Sequence, residues 1–351
     1  PSALGVISTS NENVTMLAEM GVLMLLFFIG MELSLKAFVA SLKPAVQIAG
    51  GQLIAAMAIS FGLMASSEAT LAEAIILGFI IALSSTVVAM KMLEDIGELR
   101  QEPGRIAVAV LIAQDLAVVP MLIVATSLGG EEAVSWVDVG LKIAVAVAVL
   151  GGLLWFLGRR PKLKPSFAPA VENNVEILAL GSLAFCFAAA SFSGLVGLSP
   201  AYGAFIAGLV VGASTLRSPV IHVVEPIQAL LLVVFFLSIG LLIDLNYIVE
   251  DWVLVLVASL FVILAKTVLN ILLIRLAGLP HKTAVEAGLS MAQIGEFSFV
   301  LAAAAFASGA IGGDVYRLAL AVTAVSLLVS PAWMVVIRHL EGEARFGYAE
   351  F

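Results

Sequence analysis

Charge is what this sequence has least of. Asp, Glu, Lys and Arg make up 12% of its 351 residues, and 62% are hydrophobic. A soluble domain carries about a quarter charged residues, so a water-soluble globular fold is excluded. Cysteine is nearly absent. The one cysteine, Cys186, lies in an apolar run from Ser182 to Ala190, which rules out a disulfide framework and predicts a packed core residue. The chain has one Cys and three His, and none of them is placed for hydrolysis or metal binding. The formal charge is −8 and is scattered over short loops, so nucleic acid is not expected as a partner. A basic n-region of the secretory type is also missing at the start, which reads Pro-Ser-Ala-Leu-Gly.

What the chain does have is long apolar runs. Eleven of them approach or exceed the roughly 20 residues needed to span a bilayer. They fall near 14–34, 44–65, 70–93, 105–128, 137–157, 174–194, 199–214, 224–243, 252–275, 283–308 and 315–338. The expected fold is therefore an all-α polytopic membrane protein. Basic residues collect on the cytoplasmic side of such proteins. If the chain changes side at every run, Lys43, Lys91, Arg105, Arg159, Lys164, Arg217, Arg275 and Lys282 share one side, with Lys36, Arg100, Arg160, Lys162, Arg338 and Arg345. Only Lys142 and Arg317 fall on the other, and Lys266 lies inside a run. This parity places residue 1 outside and residue 351 in the cytoplasm.

An internal repeat is legible. Leu23-Met-Leu-Leu-Phe-Phe-Ile-Gly-Met-Glu32 resembles Leu232-Val-Val-Phe-Phe-Leu-Ser-Ile-Gly-Leu241. Further along, each copy is followed by a polar interruption in an apolar run: Ala82-Leu-Ser-Ser-Thr86 in the first, and Gly288-Leu-Ser-Met-Ala-Gln-Ile-Gly-Glu296 in the second. An odd number of runs separates the copies, so their topologies are opposite. Inverted repeats with interrupted helices in matching places point to a secondary transporter and its midplane site. Two runs, 174–194 and 199–214, precede the second copy and have no counterpart before the first. The intact protein is therefore expected to carry two more helices ahead of Pro1, about thirteen in all.

The candidate residues for chemistry are the few polar groups at bilayer depth. Asp115 sits in a run that is otherwise apolar from Ile106 to Leu128. An aspartate there costs about 2.5–3.5 kcal/mol on insertion scales unless something satisfies it. It lies ten residues beyond Arg105, about 15 Å deep at helical rise; Lys266, nine residues before Arg275, lies about 13 Å deep from the same side. One reading makes the two a structural ion pair. The other makes Asp115 a carboxylate that holds a proton or a metal cation but not both, which is what exchange requires. Gln114 either supplies a neutral oxygen to that site or satisfies a neighbouring helix. Helix breaks around Ser84, Ser85 and Thr86, and around Ser290, Gln293 and Gly295, would free backbone carbonyls that suit alkali cations. Glu296 either lines the cation path or bonds to the broken helix beside it, with the second favoured. Glu32 with Lys36, and Glu94, Asp95, Glu98 and Glu102 with Lys91, Arg100 and Arg105, read as surface or loop charges. His222 and Glu225 mark a candidate regulatory loop, and Gly203, Gly208 and Gly212 predict close helix packing.

Four stretches carry a family resemblance: Ala82-Leu-Ser-Ser-Thr-Val-Val-Ala-Met90, Ala113-Gln-Asp-Leu-Ala-Val-Val-Pro120, Leu198-Ser-Pro-Ala-Tyr-Gly-Ala-Phe-Ile-Ala-Gly208 and Gly295-Glu-Phe-Ser-Phe299. In this order they resemble the Kef-type potassium/proton antiporters of the second monovalent cation:proton antiporter family. The resemblance implies an NhaA-like inverted-repeat fold with two crossing discontinuous helices, and a homodimer whose core moves by an elevator-like displacement. It matches Asp115 to the ion-binding aspartate, Lys266 to the lysine on the partner helix, and the breaks near Thr86 and Gln293 to the crossover. The expected division is a core bundle at roughly 14–128 and 219–339 and a linking or dimerisation region at roughly 137–214. A cytosolic nucleotide-binding domain or subunit is expected after residue 351, and no cofactor within this region. Glutathione-gated members carry an acidic loop where this chain reads Ser218-Pro-Val-Ile-His-Val-Val-Glu225 with one acid, so that form of control is not implied.

The functional expectation is an antiporter exchanging K⁺, or next Na⁺, for H⁺ at Asp115 in a bacterial inner membrane. The alternative is a ligand-gated cation channel, or channel-like K⁺ efflux system, using the same residues. An aspartyl intramembrane protease would need two catalytic acids at depth, and beside Asp115 only Glu296 is available.

Overall fold

The computed structural model describes residues 12–32, 42–65, 69–129, 136–159, 162–172, 174–196, 198 and 200–348. In chain order the helices are α1 (Glu12–Glu32), α2 (Leu42–Ala65), α3 (Leu71–Ala82), α4 (Thr86–Asp95), α5 (Glu102–Leu128), α6 (Trp136–Arg159), α7 (Ala168–Val171) and α8 (Val175–Leu195). They continue with α9 (Pro200–Gly212), α10 (Arg217–Leu242), α11 (Leu245–Glu250), α12 (Trp252–Leu276), α13 (His281–Ser290), α14 (Phe297–Ala307) and α15 (Gly313–Tyr348). Among the described residues there is no strand, only an isolated bridge between Leu163 and Ser214. Helix is the physical answer to apolar surroundings, since it satisfies every backbone group within one segment.

Seven stretches among the described residues are long and apolar enough to cross a membrane: Lys43–Ala65, Leu71–Asp95, Glu102–Leu128, Val137–Arg159, Val175–Leu195, Trp252–Leu276 and Gly313–Val336. Shorter apolar helices occupy Met20–Met31, Pro200–Gly212 and Phe297–Ala307. Large apolar side chains such as Val137, Leu180, Leu195 and Leu230 point outward, a surface that water penalises and acyl chains do not. Two expectations are corrected. His222 and Glu225 are not in a loop: both lie exposed on α10, because Pro219 falls in the first turn of that helix, where its missing N–H costs nothing. Glu94 and Asp95 likewise belong to the last turn of α4, each paired with Lys91, at 3.2 and 3.0 Å. Lys36, expected to pair with Glu32, lies outside the described residues.

The contacts divide the chain into two compact units. One takes α1 and α6–α10. Its core is built from Met24, Phe27 and Met31 of α1, Cys186 of α8, Ala204 and Ala207 of α9, and Val220 and Val224 of α10. Cys186 is fully buried there, as its apolar run predicted. The helices that carry the two repeat segments, α1 and α10, pack on each other. The boundaries drawn from sequence put these two helices with the core bundle, whereas the contacts group them with α6–α9. α1 also packs closely on α9, for a simple reason: a Cβ on Gly208 would collide with the Phe27 carbonyl, and one on Gly30 would lie 2.5 Å from the Phe205 carbonyl. Gly208→Val is therefore expected to separate α1 from α9 and destabilise the fold by at least about 1–3 kcal/mol, the usual cost of overpacking. Thermal unfolding of the detergent-purified protein measures it, and an unchanged midpoint would contradict this packing.

The other unit takes α2–α5, as far as Met121, and α11–α15. Its core joins Ile48 of α2, Ala89 and Leu93 of α4, Ile106, Val110 and Leu111 of α5, Ile274 of α12 and Ala284 of α13. Every candidate ion-binding residue lies in this unit.

Candidate functional site

The run 70–93 folds as two helices. α3 starts in a capping box: Thr70 Oγ1 accepts the Glu73 N–H at 3.2 Å, and Glu73 accepts the Thr70 N–H at 2.9 Å. It stops at Ala82 because Ser84 and Ser85 offer the backbone other partners. Leu83 and Ser85 are extended, and Ser85 becomes the N-cap of α4, accepting the Val88 N–H at 3.2 Å. The run 283–308 is also interrupted, between Ser290 and Phe297, but there the N-cap residue Glu296 is helical in backbone rather than extended.

The two breaks lie against each other. The Gly295 N–H donates to the Leu83 carbonyl at 3.2 Å, and Ser84 Oγ donates to the Met291 carbonyl at 2.9 Å. Gln293 Nε2 donates to the Ser85 carbonyl at 3.3 Å, Ser298 Oγ to the Ile80 carbonyl at 3.1 Å, and the Ile294 N–H to Ser326 Oγ at 3.1 Å. Unwound backbone is tolerated at bilayer depth only where protein or water satisfies it, and here side chains do so. Ser290 merely bonds back to the Ala287 carbonyl.

Gln114 of α5 has a defined structural task. Its Oε1 accepts the Ser84 N–H at 2.8 Å, and its Nε2 donates to Gln52 Oε1 at 2.7 Å. Gln52 Nε2 in turn donates to Asn270 Oδ1 at 2.8 Å, and Asn270 Nδ2 reaches the carbonyls of Gly288 and Met291 at 3.2 and 3.0 Å. A chain of three amides thus ties one break to the other. Gln52 and Asn270 escaped the sequence reading, although each is a side-chain amide inside an otherwise apolar run, a signal that could have found them. A cavity of about 200 Å³ borders this chain, lined among others by Val46, Gly50, Leu53, Leu83, Gln114 and Met121.

Lys266 does not pair with Asp115: among the described residues no ion pair joins them. Its Nζ donates instead to the carbonyls of Ile81 and Leu83, at 2.9 and 2.6 Å. These carbonyls end α3, where helix dipoles place negative partial charge and an ammonium is favoured. The structural ion-pair reading is replaced by a helix cap.

Asp115 is 5% exposed and accepts a hydrogen bond from Thr86 Oγ1 at 3.3 Å, at the first residue of α4. Glu296 comes from the opposite break, near enough for its charge to act on Asp115. Its carboxyl group faces the Ser85 hydroxyl and the backbone N–H groups of Thr86 and Val87, at a helix N-terminus. Asp115, Thr86 and Glu296 thus meet at one end of a half-helix. His222 and Glu225 belong to the other unit. Among the described residues no three His, Cys, Asp or Glu side chains cluster as a metal site.

The pattern described for sodium/hydrogen exchangers, transmembrane, matches residues 1–337 of the chain. The protein belongs to the sodium/hydrogen exchanger family. Exchangers of this family are integral membrane transporters of cations and protons, not enzymes. A curated relative, described as iron transporter MagA of Paramagnetospirillum magneticum, is 39% identical over 340 residues, covering 97% of this chain and 77% of its own. In this exchanger, Lys266→Met is expected to strip the Ile81 carbonyl of its ammonium donor, at about 1–3 kcal/mol, while the Leu83 carbonyl keeps only the Gly295 N–H. A thermal midpoint that falls and a transport rate that drops with it are the expected results. A stable variant with normal transport would remove Lys266 from the helix end.

Proposed function

We propose that this exchanger carries a monovalent cation against H⁺ by alternating access at Asp115, with K⁺ as first choice and Na⁺ as second. The supporting observation is the position of Asp115: a buried carboxylate at the meeting point of two helix breaks, held by one hydroxyl. The carboxylate of Asp115 takes a proton or a cation in turn. Gln114 fixes the first break, and Lys266 neutralises the end of α3. The potassium preference follows the resemblance to Kef-type antiporters, as do the homodimer, the elevator displacement and a cytosolic nucleotide-binding domain or subunit. We place the moving core at α2–α5 and α12–α15, with the linking and dimerising region among the remaining helices. The proposed topology is the inverted repeat with eleven spans in this chain, in a bacterial inner membrane with a cytoplasmic C-terminus.

The test is transport by the full-length protein in liposomes loaded with a pH dye, under K⁺, Na⁺ or Li⁺ gradients with the membrane potential clamped. Proton movement driven by a cation gradient is the expected result and names the ion. Cation flux without proton movement would replace this reading with the channel.

A second reading takes iron as the cation, because the MagA relative is described as an iron transporter. Carboxylate, hydroxyl and amide oxygens are hard donors of the kind that also accept divalent ions. Fe²⁺-driven proton movement in the same liposomes, absent with K⁺ and Na⁺, would favour it.

A further inference from the structure

Two oxygens at the crossing have no partner. Gln293 is fully buried and its Oε1 accepts no hydrogen bond; Glu296 is 6% exposed and its Oε2 likewise accepts none. A buried acceptor left bare costs about 1–3 kcal/mol, so two of them three residues apart call for a ligand. Both residues are held on their other side. Gln293 spends its Nε2 on the Ser85 carbonyl, and Glu296 faces the N–H groups of Thr86 and Val87. The bare oxygens therefore belong to side chains anchored at the same Ser85–Thr86–Val87 turn that positions Thr86 Oγ1 against Asp115.

We infer that the oxygen cage of the transported cation is completed from the second helix break, by the carboxylate of Glu296 and the side-chain carbonyl of Gln293, opposite Asp115 and Thr86. This rests on the antiport reading for what the cage carries, but not for its composition. Four oxygens of three kinds would replace part of the cation's hydration shell: two carboxylates, one hydroxyl and one amide carbonyl, hard donors suited to alkali cations. Two carboxylates close together in a dry site repel each other, so a cation between them is held by both. The N-terminus of α4 offsets part of that negative charge, roughly half an elementary charge. On this arrangement a core that parts the two breaks also takes the cage apart. Release is then built into the movement rather than left to a separate gate.

The experiment compares wild type with Glu296→Gln, Glu296→Asp and Gln293→Leu in the full-length protein, at one fixed pH. Two readouts are taken: the half-saturating K⁺ or Na⁺ concentration for proton exchange in liposomes, and the cation-dependent rise in thermal midpoint of the purified protein. Glu296→Gln is expected to raise the half-saturating concentration at least about tenfold, because a unit charge a few ångströms from the ion exceeds that factor at the effective dielectric of a protein site. Glu296→Asp should recover part of the loss, and Gln293→Leu should raise half-saturation less, by roughly threefold, in keeping with the loss of a neutral oxygen rather than a charged one. Wild-type half-saturation in both Glu296→Gln and Gln293→Leu would overturn the cage while leaving antiport at Asp115 intact. If wild type itself moves no protons with K⁺ or Na⁺, the antiport reading fails and the thermal readout decides the cage alone. A cation-dependent midpoint lost in Glu296→Gln supports it, and one retained at the same cation concentration overturns it.

Discussion

Asp115→Asn is expected to abolish cation-driven proton movement and to leave the protein folded. The two side chains have nearly the same shape, and the amide oxygen of Asn can still accept the Thr86 hydroxyl that Asp115 accepts at 3.3 Å. What is lost is the one property exchange requires, a group that carries either a proton or a cation. Folding should gain if anything, because an aspartate at bilayer depth costs about 2.5–3.5 kcal/mol that an amide largely avoids. The expected signature is therefore a pair of results in one preparation: a thermal midpoint equal to or above wild type, and proton movement at the background of empty liposomes. Residual exchange above about a tenth of wild type would show that Asp115 is not the exchanging group. A variant that also failed to fold would leave the transport result without meaning, which is why the midpoint belongs in the same experiment.

Gly295→Ala is expected to be nearly as damaging by an unrelated route. A Cβ at this position would lie 2.6 Å from both the carbonyl carbon and the oxygen of Ser84, and 3.0 Å from the Ser85 nitrogen. All three are backbone atoms, so no side chain can turn aside. The breaks would have to separate, and the bond from the Gly295 N–H to the Leu83 carbonyl, now 3.2 Å, would be lost with them. Overpacking alone costs about 1–3 kcal/mol. Displacing Thr86 and Glu296 relative to Asp115 should also lower the transport rate more than tenfold, since misplacement of about 1 Å is enough for effects of that order. Gly62→Ala is the control: a Cβ there meets nothing within 4 Å, and a helical glycine replaced by alanine should gain about 0.5–1 kcal/mol. If the two variants transport equally well, the contact between the breaks is not needed for function.

Much of the site was legible because membrane sequences are sparing with polarity. Asp115, Gln114 and Lys266 stand out in apolar runs, and Ser84-Ser85-Thr86 is a visible competitor to helix. The pairing of partners was not legible. Equal depth suggested Asp115 with Lys266, yet Lys266 bonds to Ile81 and Leu83 while Thr86 and Glu296 attend Asp115. Depth locates a residue along the membrane normal and leaves its direction around the helix open. Glu296 shows the same limit from the other side. Its place beside the broken helix was expected, but its approach to Asp115 depends on how the second break meets the first.

The sequence by itself determined that this is a helical membrane protein, where its apolar helices are interrupted, and which few polar groups lie at depth. Those follow from composition and spacing, because a bilayer admits almost no charge and demands that backbone groups be satisfied within a segment. Tertiary structure alone decided which break touches which. It made Gln52 and Asn270 the links between them, set Lys266 on the end of α3, and packed α1 against α9 and α10. Each depends on contacts between residues far apart in the chain, such as the 218 positions separating Gln52 from Asn270. No local pattern encodes these contacts, because a hydrogen-bonding side chain inside an apolar run declares that it needs a partner without declaring which.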